Sequence, residues 1–184
     1  MKIFISGGCK NGKSHYAVKI AALLGTPLYY MATMVSSDAE DDERIVRHQK
    51  EREGLGFITL ELAADINRLP EHCDLNGSYL LDSLTALLAN EMFINGEYVE
   101  NAYEKVIRDA SALINKTRNI VVVSDNIYSD AFLYDEMTEN YRRSLGIIDR
   151  AAADLCDVVL EITFGGIIVH KDTKGFSRIY EKIS

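Results

Sequence analysis

A glycine-rich loop near the start of the chain constrains the fold most strongly. The stretch GGCKNGKS occupies residues 7–14 and follows an apolar run directly. It fits the pattern G-x-x-x-x-G-K-S, in which a glycine-rich backbone turns its N–H groups toward a bound phosphate. A strand before such a loop and a helix after it are the expected context, because a helix N-terminus also favours an anion. The predicted nucleotide-binding residues of the loop are Gly7, Gly8, Cys9, Lys10, Asn11, Gly12, Lys13 and Ser14.

Two side chains at the end of the loop carry chemistry that glycines cannot supply. Lys13 is expected to reach the β- and γ-phosphates of a nucleotide, which makes it a catalytic candidate. The Ser14 hydroxyl is expected to bind the Mg²⁺ that accompanies a nucleoside triphosphate. Such a loop reads phosphates and not the base, so GTP and ATP both remain open as substrates. The acceptor of the transferred group also remains open.

The rest of the chain alternates short apolar runs with helical segments. The apolar runs are rich in β-branched residues and lack a period of two, which is typical of parallel strands buried on both faces. The expected fold is therefore α/β, a RecA-like P-loop NTPase with helices on both sides of a mostly parallel central sheet and a closing antiparallel hairpin. We predict strands at 2–6, 27–33, 57–62, 78–84 and 119–125, helices at 13–24, 38–53, 63–69, 86–93, 98–116 and 136–155, and a hairpin at 158–171 whose two-residue turn is Gly165-Gly166.

Composition favours one domain over residues 1–184, with 47% hydrophobic residues to form its core. The net charge is −8 and no basic stripe is visible, so we expect no nucleic-acid partner. The three cysteines are far apart and predict neither disulfides nor a zinc site; reduced thiols favour a cytoplasmic protein. The apolar run at 3–5 is too short for a signal peptide or a membrane span, and we expect no membrane span.

An acidic residue ends the apolar run that begins at residue 78. Asp82 follows Leu80-Leu81, and an acid at the end of a buried strand is typical of the carboxylate that holds Mg²⁺ in P-loop enzymes. The alternative is that Asp82 or Ser83 caps the helix that comes next. The loop favours the metal role, so we predict that Asp82 is a catalytic residue and a metal ligand together with Ser14.

The segment 38–53 is a strongly charged helix in which Asp38 is the expected N-cap. His48 lies in this helix, where a histidine is ordinarily a solvated surface residue. Beside a bound nucleotide, its imidazole could instead be a nucleophile toward a phosphoryl group. Arg44 and Arg47 could bind phosphates, or could pair with the acids of the same helix.

Together these motifs resemble the bifunctional adenosylcobinamide kinase / adenosylcobinamide-phosphate guanylyltransferase family. The resemblance rests on GGCKNGKS, then YYMAT, then D-x-E-x-x-x-R-I-x-x-H-x-x-x-R from Asp38 to Arg52, then LLDSLTALLAN, and it covers residues 1–95. Members of the family phosphorylate the aminopropanol hydroxyl of adenosylcobinamide. They then transfer GMP from GTP onto that phosphate through a guanylylated histidine, which gives adenosylcobinamide-GDP for cobalamin assembly.

The resemblance assigns roles to individual residues. His48 stands where the family has the histidine that takes GMP, and Asp82 stands where it has the Walker B acid. Thr33 ends the Y-x-A-T motif; together with Arg44 and Arg47 it is predicted to bind the nucleotide. The implied substrates are GTP or ATP with Mg²⁺, adenosylcobinamide and its phosphate. The implied assembly is a homo-oligomer such as a trimer.

The second half of the chain departs from the family pattern. Residues 121–130 lack the expected N-E-V-G, and the helix carries Asp149-Arg150 where the family has Asn-Gln. Two alternatives therefore stay open at this point. One is a P-loop kinase of another small-molecule alcohol. The other is a catalytically altered nucleotide-binding paralogue.

Overall fold

The computed structural model describes residues 1–94 and 96–183. The strands are β1 Lys2–Gly7, β2 Leu28–Ala32, β3 Phe57–Glu61, β4 Ser78–Asp82, β5 Phe93–Ile94, β6 Glu97–Tyr98, β7 Asn119–Val123, β8 Val158–Thr163 and β9 Gly166–Asp172. The helices are α1 Lys13–Leu23, α2 Ala39–Arg52, α3 Leu84–Met92, α4 Ala102–Lys116, α5 Glu136–Leu155 and α6 Ser177–Ile183.

The main sheet has seven strands in the order β3-β2-β4-β7-β1-β8-β9. Every pair is parallel except β8 and β9, which form the antiparallel hairpin at one edge. This confirms the predicted α/β architecture. One strand, β7, lies between the loop strand β1 and the strand β4 that ends in Asp82. Because the carboxyl ends of parallel strands meet at one edge, the ends of β1, β4 and β7 all lie along the same edge of the sheet.

Helices cover both faces of this sheet, so the central strands are buried on both sides. On one face α3, α4 and α5 pack in a core that includes Leu87, Val106 and Ile148. On the other face α1 and the segment around α6 pack in a core that includes Ile20 and Phe176. Helix α2 is different, because Arg52 is its only buried residue. This helix therefore lies on the surface and is held by polar contacts.

Three local predictions are wrong. Residues 63–69 form turns and not a helix, because Asp65 has the left-handed φ of 51°, which interrupts a helical run. The fourth helix begins at Ala102 and not at residue 98, because Phe93–Ile94 and Glu97–Tyr98 pair as a small antiparallel ribbon.

The third correction concerns the turn of the closing hairpin. Thr163 pairs with Gly166, so the two turn residues are Phe164 and Gly165. Both have positive φ, 48° and 75°, as a type I′ turn requires. Gly166 therefore belongs to β9.

Candidate active site

The loop between β1 and α1 is anchored to its neighbouring strand. A Cβ on Gly7 would lie only 2.4 Å from the carbonyl oxygen of Ile162 on β8, so the close approach of the two strands requires glycine there. The Asn11 side chain donates a hydrogen bond to the same carbonyl. A Cβ on Gly8 would meet no protein atom within 4 Å, so the space beside this residue is open. Gly12 has φ 92° and precedes α1 in the left-handed region that favours glycine.

Lys13 is buried at the first turn of α1, with its side chain 7% exposed. Its ammonium group lies 2.6 Å from Asp125 Oδ1 and donates to the carbonyl oxygen of Gly8 at 2.8 Å. Asp125 follows β7, which pairs with the loop strand. Sequence reasoning gave Asp125 no role, although an acid just beyond a buried apolar run was a signal. Its position beside Lys13 depends on the order of strands in the sheet.

Helix α2 lies over the carboxyl edge of the sheet and is held near its two ends. Asp38 caps it as predicted, by accepting a hydrogen bond from the backbone N–H of Asp41. Near this end Lys10 of the loop pairs with Glu40 at 3.1 Å, in full contact with solvent. At the other end the Arg52 guanidinium lies 3.4 Å from the centroid of the Tyr30 ring. This stacked and buried cation is the stronger attachment, because exposed ion pairs contribute little.

His48 is held by a carboxylate at the end of β4. Its Nδ1 lies 3.0 Å from Asp82 Oδ2, and the same oxygen accepts a hydrogen bond from the Tyr30 hydroxyl at 2.9 Å. An ionised carboxylate only accepts hydrogen bonds, so Nδ1 carries the proton that is shared with Asp82. The other ring nitrogen, Nε2, then carries the lone pair. The arrangement fixes both the tautomer and the orientation of the imidazole.

The electrostatics of this cluster favour an ionised Asp82. Burial acts to raise the pKa of Asp82, but hydrogen bonds from His48 and Tyr30 and the positive charge of Arg44 together hold it below its ordinary value. Burial, and then the negative charge of Asp82, raise the pKa of Tyr30 far above that of a free tyrosine. Tyr30 therefore stays protonated and remains a hydrogen-bond donor to Asp82.

Two clefts meet at His48. The loop cleft, of about 500 Å³, lies between the glycine-rich loop, α2 and Asp125. The edge cleft, of about 360 Å³, lies between α2 and the ends of β2, β3 and β4. Arg44 and His48 line both clefts. The two clefts are therefore neighbours that share these two side chains.

Most of the predicted site residues meet in the loop cleft. Asp82 lines the edge cleft, whereas Ser14 and Asp125 both line the loop cleft. Thr33 lines neither cleft: its hydroxyl is fully buried and exchanges hydrogen bonds with the backbone of Ser83. The predicted residues that line the loop cleft are Cys9, Lys10, Asn11, Gly12, Lys13, Ser14, Arg44, Arg47 and His48.

Comparison with known proteins identifies the family. A family model described as cobinamide kinase / cobinamide phosphate guanyltransferase (CobU) matches residues 3–170. The chain belongs to this family. It is also 26% identical over 160 residues to the bifunctional adenosylcobalamin biosynthesis protein CobP of Pseudomonas aeruginosa, an alignment that covers 86% of this chain and 91% of that protein. The enzyme is thus a cobinamide kinase and cobinamide-phosphate guanylyltransferase of adenosylcobalamin biosynthesis, which confirms the resemblance found in its motifs.

A solved structure supports the fold alone. A protein of Pyrococcus horikoshii OT3 superimposes with a TM-score of 0.50 at 11% identity, over 94% of this chain and 87% of that one. Within residues 1–94 and 96–183, the enzyme has no helix with the length and apolar character needed to cross a bilayer.

The two segments that depart from the family pattern contact each other. The Tyr128 ring lies 3.8 Å from the position of a Cβ on Gly146, and its hydroxyl donates to Asp149 Oδ2 at 3.0 Å. Burial raises the pKa of Asp149 to about 7. The residues that differ from the family pattern therefore pack against each other between the end of β7 and α5.

Proposed function

We propose that the enzyme transfers GMP from GTP through a covalent guanylyl group on His48, and phosphorylates adenosylcobinamide with a nucleotide bound at the loop. One observation supports this most directly. His48 lies in the cleft that contains the glycine-rich loop, and Asp82 holds its Nδ1 so that Nε2 is available. A histidine on a solvated helix face would not be oriented by a buried carboxylate.

The guanylyl step follows from this orientation. The Nε2 lone pair attacks the α-phosphorus of GTP, an N–P bond forms, and the bond to the bridging oxygen breaks so that pyrophosphate leaves. The proton on Nδ1 stays between the imidazole and Asp82, which stabilises the positive charge that develops on the ring. The phosphate oxygen of adenosylcobinamide phosphate then attacks the same phosphorus, and His48 regains its lone pair.

The loop would position the bound nucleotide and neutralise the negative charge of its phosphates. Lys13 would exchange its contact with Asp125 for the phosphates, and Arg44 and Arg47 face the same cleft from α2. The donor set suits Mg²⁺, because a hydroxyl and carboxylates are hard oxygen ligands. We propose that Ser14 holds the ion with Asp125, which lines the same cleft. Asp82 is the metal ligand predicted from the sequence, and it lines the neighbouring edge cleft. When bound, Mg²⁺ would neutralise charge on the phosphates.

The remaining features of the proposal are an assembly and a location. We propose a homo-oligomer, for which the predicted trimer is the specific form, and a cytoplasmic enzyme. Cys9, Cys73 and Cys156 are all free thiols, as a reducing compartment favours. GTP and ATP both remain possible donors for the kinase reaction.

Incubation with GTP labelled at the α-phosphate tests the guanylyl step. We expect the wild type to acquire a label that is lost in acid and stable in base, and His48→Ala to acquire none. His72→Ala is the matched control, because it removes an exposed histidine that lines neither cleft. Unlabelled wild type that still transfers the γ-phosphate would indicate a P-loop kinase of another alcohol. Tight nucleotide binding without any transfer would indicate an altered paralogue.

A further inference from the structure

The turn of the β8–β9 hairpin carries an aromatic side chain that contributes nothing to the core. Phe164 is fully exposed to solvent. It is the first of the two turn residues and has φ 48°, a conformation in which Asn, Asp or Gly is favoured and a bulky side chain is strained. A strained residue whose side chain packs against nothing suggests a functional role, because neither property helps the protein to fold.

Two hydrogen bonds hold this turn against the glycine-rich loop. The hydroxyl of Tyr16, in the first turn of α1, donates to the carbonyl oxygen of Gly165 at 2.8 Å. The side chain of Asn11, in the loop itself, donates to the carbonyl oxygen of Ile162 near the end of β8. The exposed ring of Phe164 is therefore fixed next to the start of α1.

The direction of a loop-bound nucleotide brings its base toward this turn. The Lys13 ammonium lies at Gly8 and Asp125, which marks the place of the terminal phosphates. The nucleoside would then leave the loop at the opposite end, where α1 begins. His15 lines the loop cleft at that end, and its ring centroid lies 6.1 Å from that of Tyr16. Aromatic side chains therefore lead from the loop cleft to the hairpin turn.

We propose that the nucleoside triphosphate that donates to the alcohol in the kinase reaction stacks its base on Phe164, beside Tyr16 and His15. This inference rests on the proposed function, because it takes the phosphates of the kinase donor to lie on the loop. A nucleic base has flat faces that stack on an aromatic ring, and every base has such a face. The site therefore accepts ATP and GTP alike, and the bound base covers the ring that is otherwise in water.

The absence of tryptophan from the chain permits a direct optical test. Phe164→Trp places a single indole at the turn and keeps an aromatic ring for stacking. We expect the β,γ-imido analogue of ATP, which cannot donate its γ-phosphate, to quench this fluorescence. Tripolyphosphate, which has the phosphates without a base, should leave it unchanged. Phe93→Trp is the matched control, because Phe93 is exposed on β5 and lines neither cleft, and its fluorescence should respond to neither ligand.

Calorimetric titration measures how much the ring contributes to binding. Phe164→Asn should bind the ATP analogue about fivefold or more weakly than the wild type, because the stacking is lost, and should bind tripolyphosphate as before. This variant is expected to fold, because Asn readily adopts the positive φ of the turn.

Three results would overturn the role of Phe164. The first is an indole at position 164 that does not respond to the ATP analogue. The second is an affinity for that analogue that Phe164→Asn leaves unchanged, or lowers no more than it lowers the affinity for tripolyphosphate. The third is a change in sedimentation without a change in affinity, which would assign the ring to a contact between subunits. Failure of the loop assignment has a different signature, which is wild type that binds tripolyphosphate no better than Lys13→Ala.

Discussion

The buried carboxyl of Asp149 permits a quantitative test of the structure. Asp149 lies on α5 with 3% of its surface exposed, and burial raises its pKa from 3.8 to about 7. Asn has nearly the same shape, keeps an oxygen that can accept from the Tyr128 hydroxyl, and carries no charge. It is also the residue that the family pattern has at this position. We therefore expect Asp149→Asn to stabilise the folded protein.

The magnitude and its pH dependence follow from the pKa shift. Between pH values of about 4 and about 7, the folded protein holds a proton that the unfolded chain has released. The free energy of unfolding of the wild type therefore falls as the pH rises through this window. At roughly 1.4 kcal/mol per pKa unit, the ionisation of Asp149 lowers the free energy of unfolding by about 2 kcal/mol at about pH 5.5 and by about 4 kcal/mol at about pH 8; this reduction is the penalty. The Asn variant does not have this penalty.

Urea unfolding followed by circular dichroism at these two pH values measures the effect. Asp149→Asn should exceed the wild type by about 4 kcal/mol at about pH 8, which corresponds to roughly 10 °C in melting temperature. Asp154→Asn is the control, because Asp154 is exposed on the same helix and should leave stability unchanged. The reasoning would be refuted if the difference in unfolding free energy between Asp149→Asn and the wild type does not widen as the pH rises.

Two further predictions concern the loop. Lys13→Ala should reduce triphosphate affinity at least about tenfold, because a buried charge-assisted contact to phosphate is lost; full activity of this variant would exclude the loop assignment. Asp125→Asn should tighten triphosphate binding several-fold in the presence of a chelator, because Lys13 no longer has an ionic partner to give up. With Mg²⁺ present the same variant should turn over more slowly. Unchanged behaviour under both conditions would contradict the role of Asp125.

The sequence predicted the features that depend on local pattern. The loop follows from its motif, and the buried parallel strands follow from runs of β-branched residues such as those in β7. The cap at Asp38 follows from residue type alone. The small ribbon of β5 and β6 was missed, although the sequence has an Asn-Gly dipeptide at 95–96, which is a strong hairpin signal.

Features that depend on the order of strands could not be read from the sequence. Asp125 meets Lys13 because β7 lies beside β1, and Asp82 lies in a different cleft because β4 is one strand further away. Nothing local distinguishes these two acids, since each follows a buried apolar run.

The enclosure of His48 has a consequence for the lifetime of the covalent state proposed for it. Its side chain is only 13% exposed, between Asp82, Tyr30 and the two clefts. A guanylyl group on an imidazole is a reactive phosphoramidate, which water destroys unless the site excludes it. In the proposed mechanism, a sheltered histidine would let the guanylylated enzyme await its acceptor without losing the guanylyl group to water. We therefore expect slow spontaneous loss of the label at neutral pH and rapid loss once the protein is unfolded.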